Sequence, residues 1–256
     1  MKISCLVTLL KEIPANVVEL WLVSTASAKP GRNARTVAVE VAENILTECI
    51  VRSAVMITVD CIQGSEEWFE ARLGMVTASN FGKVLAKGQG KTRSLYMYKL
   101  VAERLTGLRE EGYHDKNMDN GQVVEDEARA YYETAYDCKV DQVGFVKRDD
   151  WIGGSPDGLI GTDGIIEIKC PLSSTHIANI LSNKMPSEYR AQVQGLLWVT
   201  ERQWCDFVSY DPRMVARPMQ VVCVERDNDY IVNLAAQVSV FVKELKEIIQ
   251  KIDVGF

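Results

Sequence analysis

Hydrophobic and charged residues alternate in the short stretch that ends at Lys169. In an extended strand, Ile166 and Ile168 face one side, while Glu167 and Lys169 face the other. The residues immediately before them, Thr162–Gly164, contain an Asp-Gly pair between two apolar runs, which is typical of a tight chain reversal. The pattern therefore predicts a β-hairpin whose second strand carries a carboxylate and an ammonium on one face.

The rest of the chain predicts helices and strands in alternation, without internal repeats. Helices are predicted where apolar residues recur every three or four positions. They lie at 66–73, from Asn80 onward, at 94–106, at 121–135, after Ser187, and over the C-terminal stripe Tyr230, Leu234, Val238, Phe241, Leu245 and Ile249. Strands are predicted at 140–147, 158–160, 165–169, 204–210 and 219–225. The fold class is therefore predicted to be α/β, with a mixed central β-sheet flanked by helices.

The predicted hairpin also accounts for a second carboxylate. Asp157, in the turn-rich run Ser155–Gly158, precedes Glu167 by ten positions, so the hairpin can bring the two side chains together with Lys169. Two carboxylates can hold Mg²⁺, and a neighbouring lysine can orient or help deprotonate an attacking water. The alternative is a surface salt bridge with a structural role. The Pro-Asp turn and the surrounding isoleucines favour the core of a metal-dependent nuclease.

Composition and charge limit the classes of protein that this chain can be. The 256 residues are 47% hydrophobic and 25% charged, which is ordinary for a soluble globular protein. No apolar run approaches the about 18 residues of a membrane span, and no secretory cleavage site follows the apolar start. Seven scattered cysteines without a Cys-x-x-Cys pair predict reduced thiols in the cytoplasm, and two histidines argue against zinc chemistry. Because the net charge is −6, a DNA enzyme of this composition must concentrate positive charge locally.

Residues 1–55 are predicted to be an N-terminal extension, and residues 56–256 the domain that carries the candidate nuclease chemistry. The first part has apolar helical patterns around the loop Ser27–Asn33 but none of the candidate chemistry. Two explanations remain open. In the first, the native start is Met56 and the preceding residues are not native. In the second, residues 1–55 are a genuine appended segment of unknown role.

Five blocks of sequence, in order from about Gln63 onward, resemble the lambda-exonuclease family, also called the YqaJ-type viral recombinase family, of the PD-(D/E)xK nuclease superfamily. The blocks are Trp68–Ser79, Gly121–Glu125, the core Asp157/Glu167/Lys169, Ala191–Gln194 with Leu197–Thr200, and Ser209–Met214. The resemblance implies a restriction-endonuclease-like core. It also implies a 5′-to-3′ exonuclease that degrades one strand of linear double-stranded DNA and leaves a 3′ overhang.

The same resemblance implies cofactors and partners. The cofactor is Mg²⁺, with two ions bound and Mn²⁺ as an alternative metal. The assembly is a ring-shaped homotrimer without a membrane partner, acting on DNA with a 5′-phosphate and alongside a single-strand annealing protein in recombination. The implied location is the cytoplasm of a bacterial host cell, with a phage or prophage origin.

The resemblance also implies roles for individual residues. Asp157 and Glu167 match metal-binding carboxylates, with the Ile168 carbonyl as a further ligand, and Lys169 matches the catalytic lysine. Glu125 matches a helix carboxylate that supports a second metal ion, and Gln192 matches a glutamine that positions the water. The implied pocket for the terminal 5′-phosphate consists of Arg72, Thr77 and Ser79, with the aromatic Trp68 near the DNA end.

General physical chemistry supports parts of this assignment and leaves alternatives for others. A guanidinium matches phosphate, and a helix start near Ser79 offers backbone amides to an anion. The alternatives are an ordinary surface role for Arg72, a core role for Trp68, a solvated helix face for Glu125, and a polar helix flank for Gln192 or Gln194. Two other functions also remain open: an endonuclease of the same superfamily, which cuts restriction sites or DNA junctions, and a non-catalytic DNA-binding protein that kept the fold.

Overall fold

The structure is a computed structural model that describes residues 56–86, 91–110 and 116–253, with the backbone alone for 116–123. Residues 1–55, predicted to be an N-terminal extension, lie outside the described residues, and the boundary at Met56 stays a prediction. The elements are β1 (Ile57–Val59), α1 (Glu66–Arg72), β2 (Val76–Thr77), α2 (Phe81–Val84), α3 (Thr92–Thr106), α4 (Lys116–Tyr136), β3 (Val140–Asp141), β4 (Phe145–Lys147), β5 (Ile152–Gly154), β6 (Gly158–Ile160), β7 (Gly164–Lys169), α5 (Ser173–Ser182), α6 (Arg190–Thr200), β8 (Trp204–Tyr210), β9 (Met219–Glu225) and α7 (Asn228–Asp253).

A mixed five-stranded sheet in the order β3-β6-β7-β8-β9 forms the centre of the fold. β6 and β7 form the predicted hairpin, with Gly158 opposite Ile166 and Ile160 opposite Gly164. β7 then pairs in parallel with β8, while β8 and β9 are antiparallel. The predicted class, an α/β protein with a mixed sheet and flanking helices, is confirmed.

The two faces of β7 are covered by different helices. Ile166 and Ile168 pack into a buried cluster that includes Ala128 and Tyr132 of α4. On the other side, α6 is almost wholly buried, and the long helix α7 packs against α6 and α3. The predicted stripe of α7 is buried at its centre, from Leu234 to Leu245. Because helices cover both faces, β7 is buried over most of its length and holds its charged residues in low-dielectric surroundings.

A second sheet in the order β1-β4-β5-β2 was not predicted, and one predicted strand was wrong. Instead of a continuous strand at 140–147, the chain forms β3 in the large sheet and β4 in the small one. Gly144 lies at the change of sheet, where a Cβ atom would come within 2.3 Å of the Cys61 carbonyl oxygen. The backbone at Gly144 lies so close to the backbone at Cys61 that only glycine fits there. At this position the chain passes from the large sheet to the small one.

The start of the second predicted helix also differs from its prediction. A short 3₁₀ turn, Ala78–Asn80, precedes α2, and no side-chain capping bond forms at either element. Outside the second sheet, the helix α5 was not predicted either. Within the described ranges, no helix combines the length and the apolar character needed to cross a lipid bilayer.

Candidate active site

The hairpin of β6 and β7 brings Asp157 beside the end of β7. The Asp157 carboxylate accepts a 2.6 Å hydrogen bond from the Ile168 backbone amide, and its own amide donates to the Ile166 carbonyl at 3.2 Å. Glu167 is only 1% exposed. The backbone of β7 therefore fixes one carboxylate, and its side chains supply the other.

Lys169 and Gln192 both contact Glu167. The Lys169 ammonium donates to Glu167 Oε1 at 2.5 Å, and the Gln192 side-chain amide on α6 donates to the same oxygen. Gln194, the alternative glutamine, instead bonds the Glu225 carbonyl and the Asp227 amide, so it joins α6 to the chain after β9. The structure thus brings Gln192 to the charged cluster and excludes Gln194 from it.

Glu125 on α4 approaches the same cluster from the other side of the cleft. It pairs with Arg129 at 3.2 Å. Arg129 also donates to the carbonyl oxygen of Asp157 at 3.2 Å, so a single guanidinium ties the helix to the entry of the hairpin. The solvated helix face that was the alternative for Glu125 does not describe this arrangement.

The three carboxylates hold their protons more tightly than ordinary side chains. Burial, and after it the charge of Asp157, raises the pKa of Glu167 to about 8 and that of Glu125 to about 7. Burial also raises the pKa of Asp157, against the opposing charge of Lys169. For Lys169, burial lowers the pKa, but the charges of Glu167 and Asp157 outweigh it and the pKa is raised. Without a metal ion, the positive charge in the cluster does not offset the cost of burying three carboxylates. Lys169 is protonated at neutral pH, because its pKa is raised.

Arg72 is held between an aromatic ring and a hydroxyl group. Its guanidinium carbon lies 3.9 Å from the centre of the Trp68 ring, and its Nη1 donates to Ser155 Oγ at 3.3 Å. Trp68 Nε1 donates to the same hydroxyl at 2.9 Å and to the Gly144 carbonyl at 3.1 Å. Burial lowers the pKa of Arg72 to about 10, which leaves it charged at neutral pH. The face of the Trp68 ring therefore helps to fix the position of the Arg72 guanidinium.

The turn after Arg72 is fixed by two residues of α3. Gly74 adopts φ +63°, and a Cβ atom there would lie 2.7 Å from Arg104. Its amide donates to Glu103 at 3.0 Å, and its carbonyl accepts from Arg104 at 2.9 Å. Because α1 ends at Arg72, these contacts fix the course of the backbone directly after that arginine.

Thr77 and Ser79 have different environments. Thr77 is buried and lines the cleft. Ser79 is exposed and does not line it, although its hydroxyl lies 3.3 Å from that of Thr77. The Thr77 amide already donates to the Tyr96 hydroxyl at 3.2 Å. This amide is therefore already used within the protein, and the expected anion site at the helix start near Ser79 stays a prediction.

A cleft of about 640 Å³ joins the two groups of residues. Its wall contains Trp68, Arg72 and Thr77 from the predicted phosphate pocket, and Glu125, Ile168 and Lys169 from the predicted metal site. One cleft thus contains part of each predicted group, although Asp157, Glu167 and Gln192 are not among the residues that line it. Five cationic and two acidic side chains line it, namely Arg72, Lys83, Lys99, Arg109 and Lys169 against Glu103 and Glu125.

The donor set fits a divalent metal ion in part. Among the described residues, no three His, Cys, Asp or Glu side chains converge on one point as a ready-made metal site. However, Glu167 Oε2 is buried and has no hydrogen-bond partner within the described part of the chain. An orphaned carboxylate oxygen beside the Asp157 carboxylate is a position where a hard cation removes a large desolvation cost. The ligands available are the carboxylates of Asp157 and Glu167 and the backbone carbonyl of Ile168.

Two residues of this region were missed by sequence reasoning. Ser155 bonds both Trp68 and Arg72, and Arg129 bridges Glu125 and the Asp157 backbone. Ser155 lies in the quoted Ser155–Gly158 run, and Arg129 is four positions after Glu125, the spacing of a helical ion pair. The sequence around each residue thus offered a local signal. It offered none for the contact between Arg72 and Ser155, because residues 83 positions apart have no shared local pattern.

Comparisons with known proteins find exonucleases among the similar chains. An alkaline exonuclease from Laribacter hongkongensis, solved alone and in complex with dAMP, is 41% identical, and the match covers 73% of this chain and 95% of that one with a TM-score of 0.68. A phage-related exonuclease from Haemophilus somnus shares the fold at 17% identity, with a TM-score of 0.56 over 69% of this chain and 95% of that one. The uncharacterized Escherichia coli K12 protein ExoD is 34% identical over 70 residues, which are 27% of this chain and 80% of that protein. The profile of the YqaJ-like viral recombinase domain matches residues 67–203, and the chain belongs to that family.

Proposed function

We propose that this protein is a metal-dependent 5′-to-3′ exonuclease that degrades one strand of linear double-stranded DNA. The observation that carries the proposal is the single cleft that contains both Lys169, bonded to buried Glu167, and Arg72, held on Trp68. One end offers the groups that hydrolyse a phosphodiester, and the other offers a guanidinium suited to a terminal phosphate. The similarity to an alkaline exonuclease over 73% of the chain supports the same reaction class.

Asp157 and Glu167 would hold the catalytic metal ion, with the Ile168 carbonyl as the third protein ligand. Glu125 would support a second ion. Mg²⁺ is the cation proposed, because carboxylate and carbonyl oxygens are the hard ligands it prefers, and Mn²⁺ is the expected substitute. A bound divalent ion would polarise the phosphate and lower the pKa of a coordinated water.

The protein side chains have separate tasks in this proposal. Lys169, whose pKa is raised by Glu167 and Asp157 against the effect of burial, stays protonated and stabilises negative charge on the phosphate. Beside a bound metal ion it would orient the attacking water or help to deprotonate it. Gln192, bonded to Glu167 through its side-chain amide, keeps that carboxylate in place and presents its carbonyl oxygen to a water.

The other end of the cleft would recognise the end of the DNA strand. Arg72 and Ser155 would bind the 5′-phosphate, with Thr77 in the wall and Ser79 at the exposed edge. Cleavage of one nucleotide exposes a new 5′-phosphate, so the same pocket can receive each successive end. Digestion from 5′ ends leaves a 3′ overhang, which is the substrate of a single-strand annealing protein in recombination.

A homotrimeric ring is part of this proposal. The protein has a net charge of −6, yet its cleft has an excess of cationic side chains. A ring would repeat this positively charged cleft around the duplex, so that an acidic protein keeps contact with DNA. Light scattering after gel filtration tests the assembly, and a monomer under DNA-binding conditions would contradict it.

A digestion time course on four DNA substrates tests the function. Linear duplexes carry a 5′-phosphate or a 5′-hydroxyl, a third is labelled at its 3′ ends, and the fourth is a closed circle. We expect Mg²⁺-dependent loss of mononucleotides from the phosphorylated linear duplex, late release of the 3′ label, and an intact circle. Cutting of the circle would favour an endonuclease, and an absence of hydrolysis on all four would favour a non-catalytic DNA-binding protein.

A further inference from the structure

Arg109 is a second arginine in the cleft, and part of its guanidinium has no partner among the described residues. It follows α3, and its guanidinium carbon lies 3.9 Å from the centre of the Phe69 ring. Its Nη1 atom is buried and has no hydrogen-bond partner among the residues that the structure describes. A buried charged donor without an acceptor is unfavourable, so this atom is suited to an acceptor from outside the chain.

Arg109 and Arg72 are held in the same way by consecutive residues of α1. Arg72 lies over Trp68 and Arg109 lies over Phe69, each with its guanidinium carbon 3.9 Å from the ring centre. The two rings meet edge to face, with centroids 5.0 Å apart. One short helix thus presents two guanidinium groups on adjoining rings, and both groups line the cleft.

The carboxylates of the cleft already have partners. Glu103 accepts from the Gly74 amide at 3.0 Å and lies 3.6 Å from Lys99, and Glu125 pairs with Arg129. Among the described residues, neither is bonded to Arg109. An anion that enters the cleft would supply an acceptor, because a planar guanidinium matches the two oxygens of a phosphate group.

We propose that Arg109 binds a phosphate group of the DNA strand whose 5′ end enters at Arg72. The inference rests on the proposed exonuclease function and adds a second phosphate contact to it. The phosphate is either the terminal 5′-monophosphate, shared with Arg72, or an internal phosphodiester of the same strand. Both present the same anionic oxygens, and DNA substrates with different 5′ ends distinguish them.

The salt dependence of DNA binding tests this contact without requiring catalysis. The full-length protein is titrated with a short duplex, carrying a 5′-phosphate or a 5′-hydroxyl, in EDTA at several salt concentrations. Each phosphate contact contributes about 1 to the slope of log Kd against log salt. We expect Arg109→Met to lower that slope by about 1 and to weaken binding about tenfold at low salt. Met keeps an apolar side chain on Phe69 while removing the charge.

Two further variants make the result specific. Arg93 also lies over an aromatic ring, Phe241 at 4.9 Å, but its charge is paired with Glu244 at 2.8 Å and it does not line the cleft. Arg93→Met should therefore leave the slope unchanged. Arg109→Lys keeps the charge, so its slope should stay near that of the wild type. This outcome separates loss of a phosphate contact from a folding defect.

The 5′-end comparison identifies the phosphate. A lower slope with both duplexes indicates an internal phosphodiester, and a lower slope only with the phosphorylated duplex indicates the terminal group. An unchanged slope for Arg109→Met with both duplexes overturns the inference. Wild-type digestion in Mg²⁺ is measured in parallel. If the wild type digests DNA while the slopes are equal, only this inference fails, and if it digests nothing, the proposed function fails independently of the slopes.

Discussion

The backbone amide of Ile168 donates a 2.6 Å hydrogen bond to the side chain of Asp157, eleven residues earlier. The bond places the Asp157 carboxylate at the edge of β7, beside the point from which Glu167 and Lys169 project. A backbone donor does not depend on the identity of the residue at 168. The position of this carboxylate is therefore a property of the hairpin, and side-chain substitutions nearby should change charge without moving it.

Replacing Lys169 by Met should abolish digestion while keeping the fold. The variant keeps most of the unbranched side chain but removes the ammonium that bonds Glu167 at 2.5 Å and faces the cleft. Loss of a cation aimed at a developing negative charge typically reduces the rate by about 10² to 10³-fold. Release of nucleotides from a 5′-phosphorylated linear duplex measures this rate.

Lys139→Met is the matched control for this substitution. Lys139 also pairs with a carboxylate two residues away, Asp141, but it is 82% exposed and lies outside the cleft. Its rate should equal that of the wild type. Digestion by Lys169→Met within threefold of this control, with unchanged circular dichroism, would show that Lys169 has no part in the chemistry.

Replacing Arg72 by Met should remove the preference for a 5′-phosphorylated end. The guanidinium is the charged group held by Trp68 and Ser155, and a charge-assisted hydrogen bond to phosphate contributes roughly 1.5 to 3 kcal/mol. The ratio of kcat/KM for phosphorylated and hydroxyl ends should fall by about tenfold or more. Ser155→Ala, which removes only the hydroxyl partner, should lower the ratio by a smaller factor.

The activity on the hydroxyl end is the internal reference for both variants. A substitution that merely disturbs folding lowers the rate on both ends equally and leaves their ratio unchanged. An unchanged ratio in Arg72→Met would therefore show that the 5′-phosphate binds elsewhere.

Divalent metal ions should stabilise the wild-type protein against heat, and the effect should depend on Asp157. The buried Glu167 oxygen without a partner and the adjacent Asp157 carboxylate are the groups that a cation would neutralise. A ligand that binds only the folded state raises stability by about 2.7 kcal/mol at a hundredfold excess over Kd. Tm is measured in EDTA and after addition of Mg²⁺ or Mn²⁺.

Asp157→Asn keeps the shape of the side chain and its ability to accept from Ile168, but it removes the charge. Its Tm in EDTA should be near that of the wild type or higher, and the increase caused by metal should be lost along with digestion. A metal-induced increase of equal size in both proteins would place the metal ion at another site.

The sequence predicted the hairpin of this site better than the elements around it. Asp157, Glu167 and Lys169 are joined by one hairpin, and a hairpin has a local signature in its turn residues and its alternation. Gln192 and Glu125 reach the same place from two helices, and for them a family resemblance was needed, because helical periodicity shows which residues share a face but not what that face meets.

The small sheet was missed for a related reason. Its strands have two or three residues each, which is too short for alternation to be recognised. Two of its three strand pairs, β1 with β4 and β2 with β5, also join positions far apart in the chain. The prediction of one strand at 140–147 failed because Gly144, which has no side chain to disturb a strand pattern, is where the chain changes sheets. Ser155 directly follows β5 of the small sheet, and Arg72 ends α1. Because the small sheet was not predicted, the contact between these two residues was not predictable either.

Replacing Glu167 by Gln should make the metal-free protein more stable at high pH and leave its stability unchanged at low pH. Burial, with the charge of Asp157, raises the pKa of Glu167 to about 8 in the folded state, whereas an unfolded chain has a value of about 4.3. The folded state thus prefers the protonated carboxyl. Below about pH 4.3 both states are protonated and the pKa shift has its full stabilising effect, which is lost as the pH rises through about 8.

Glutamine resembles the protonated carboxyl in shape and does not ionise. In EDTA, we therefore expect the variant to exceed the wild type by on the order of 2 kcal/mol at pH 9, and to match it near pH 4. Chemical denaturation at a series of pH values measures the difference, with Glu133→Gln as a control carboxyl that lies outside the cleft and accepts a bond from the Val140 amide. A difference that is constant from pH 4 to pH 9 would mean that Glu167 titrates normally in the folded protein. The same variant should not digest DNA in Mg²⁺, because the charge that destabilises the empty site is the charge proposed to hold the metal.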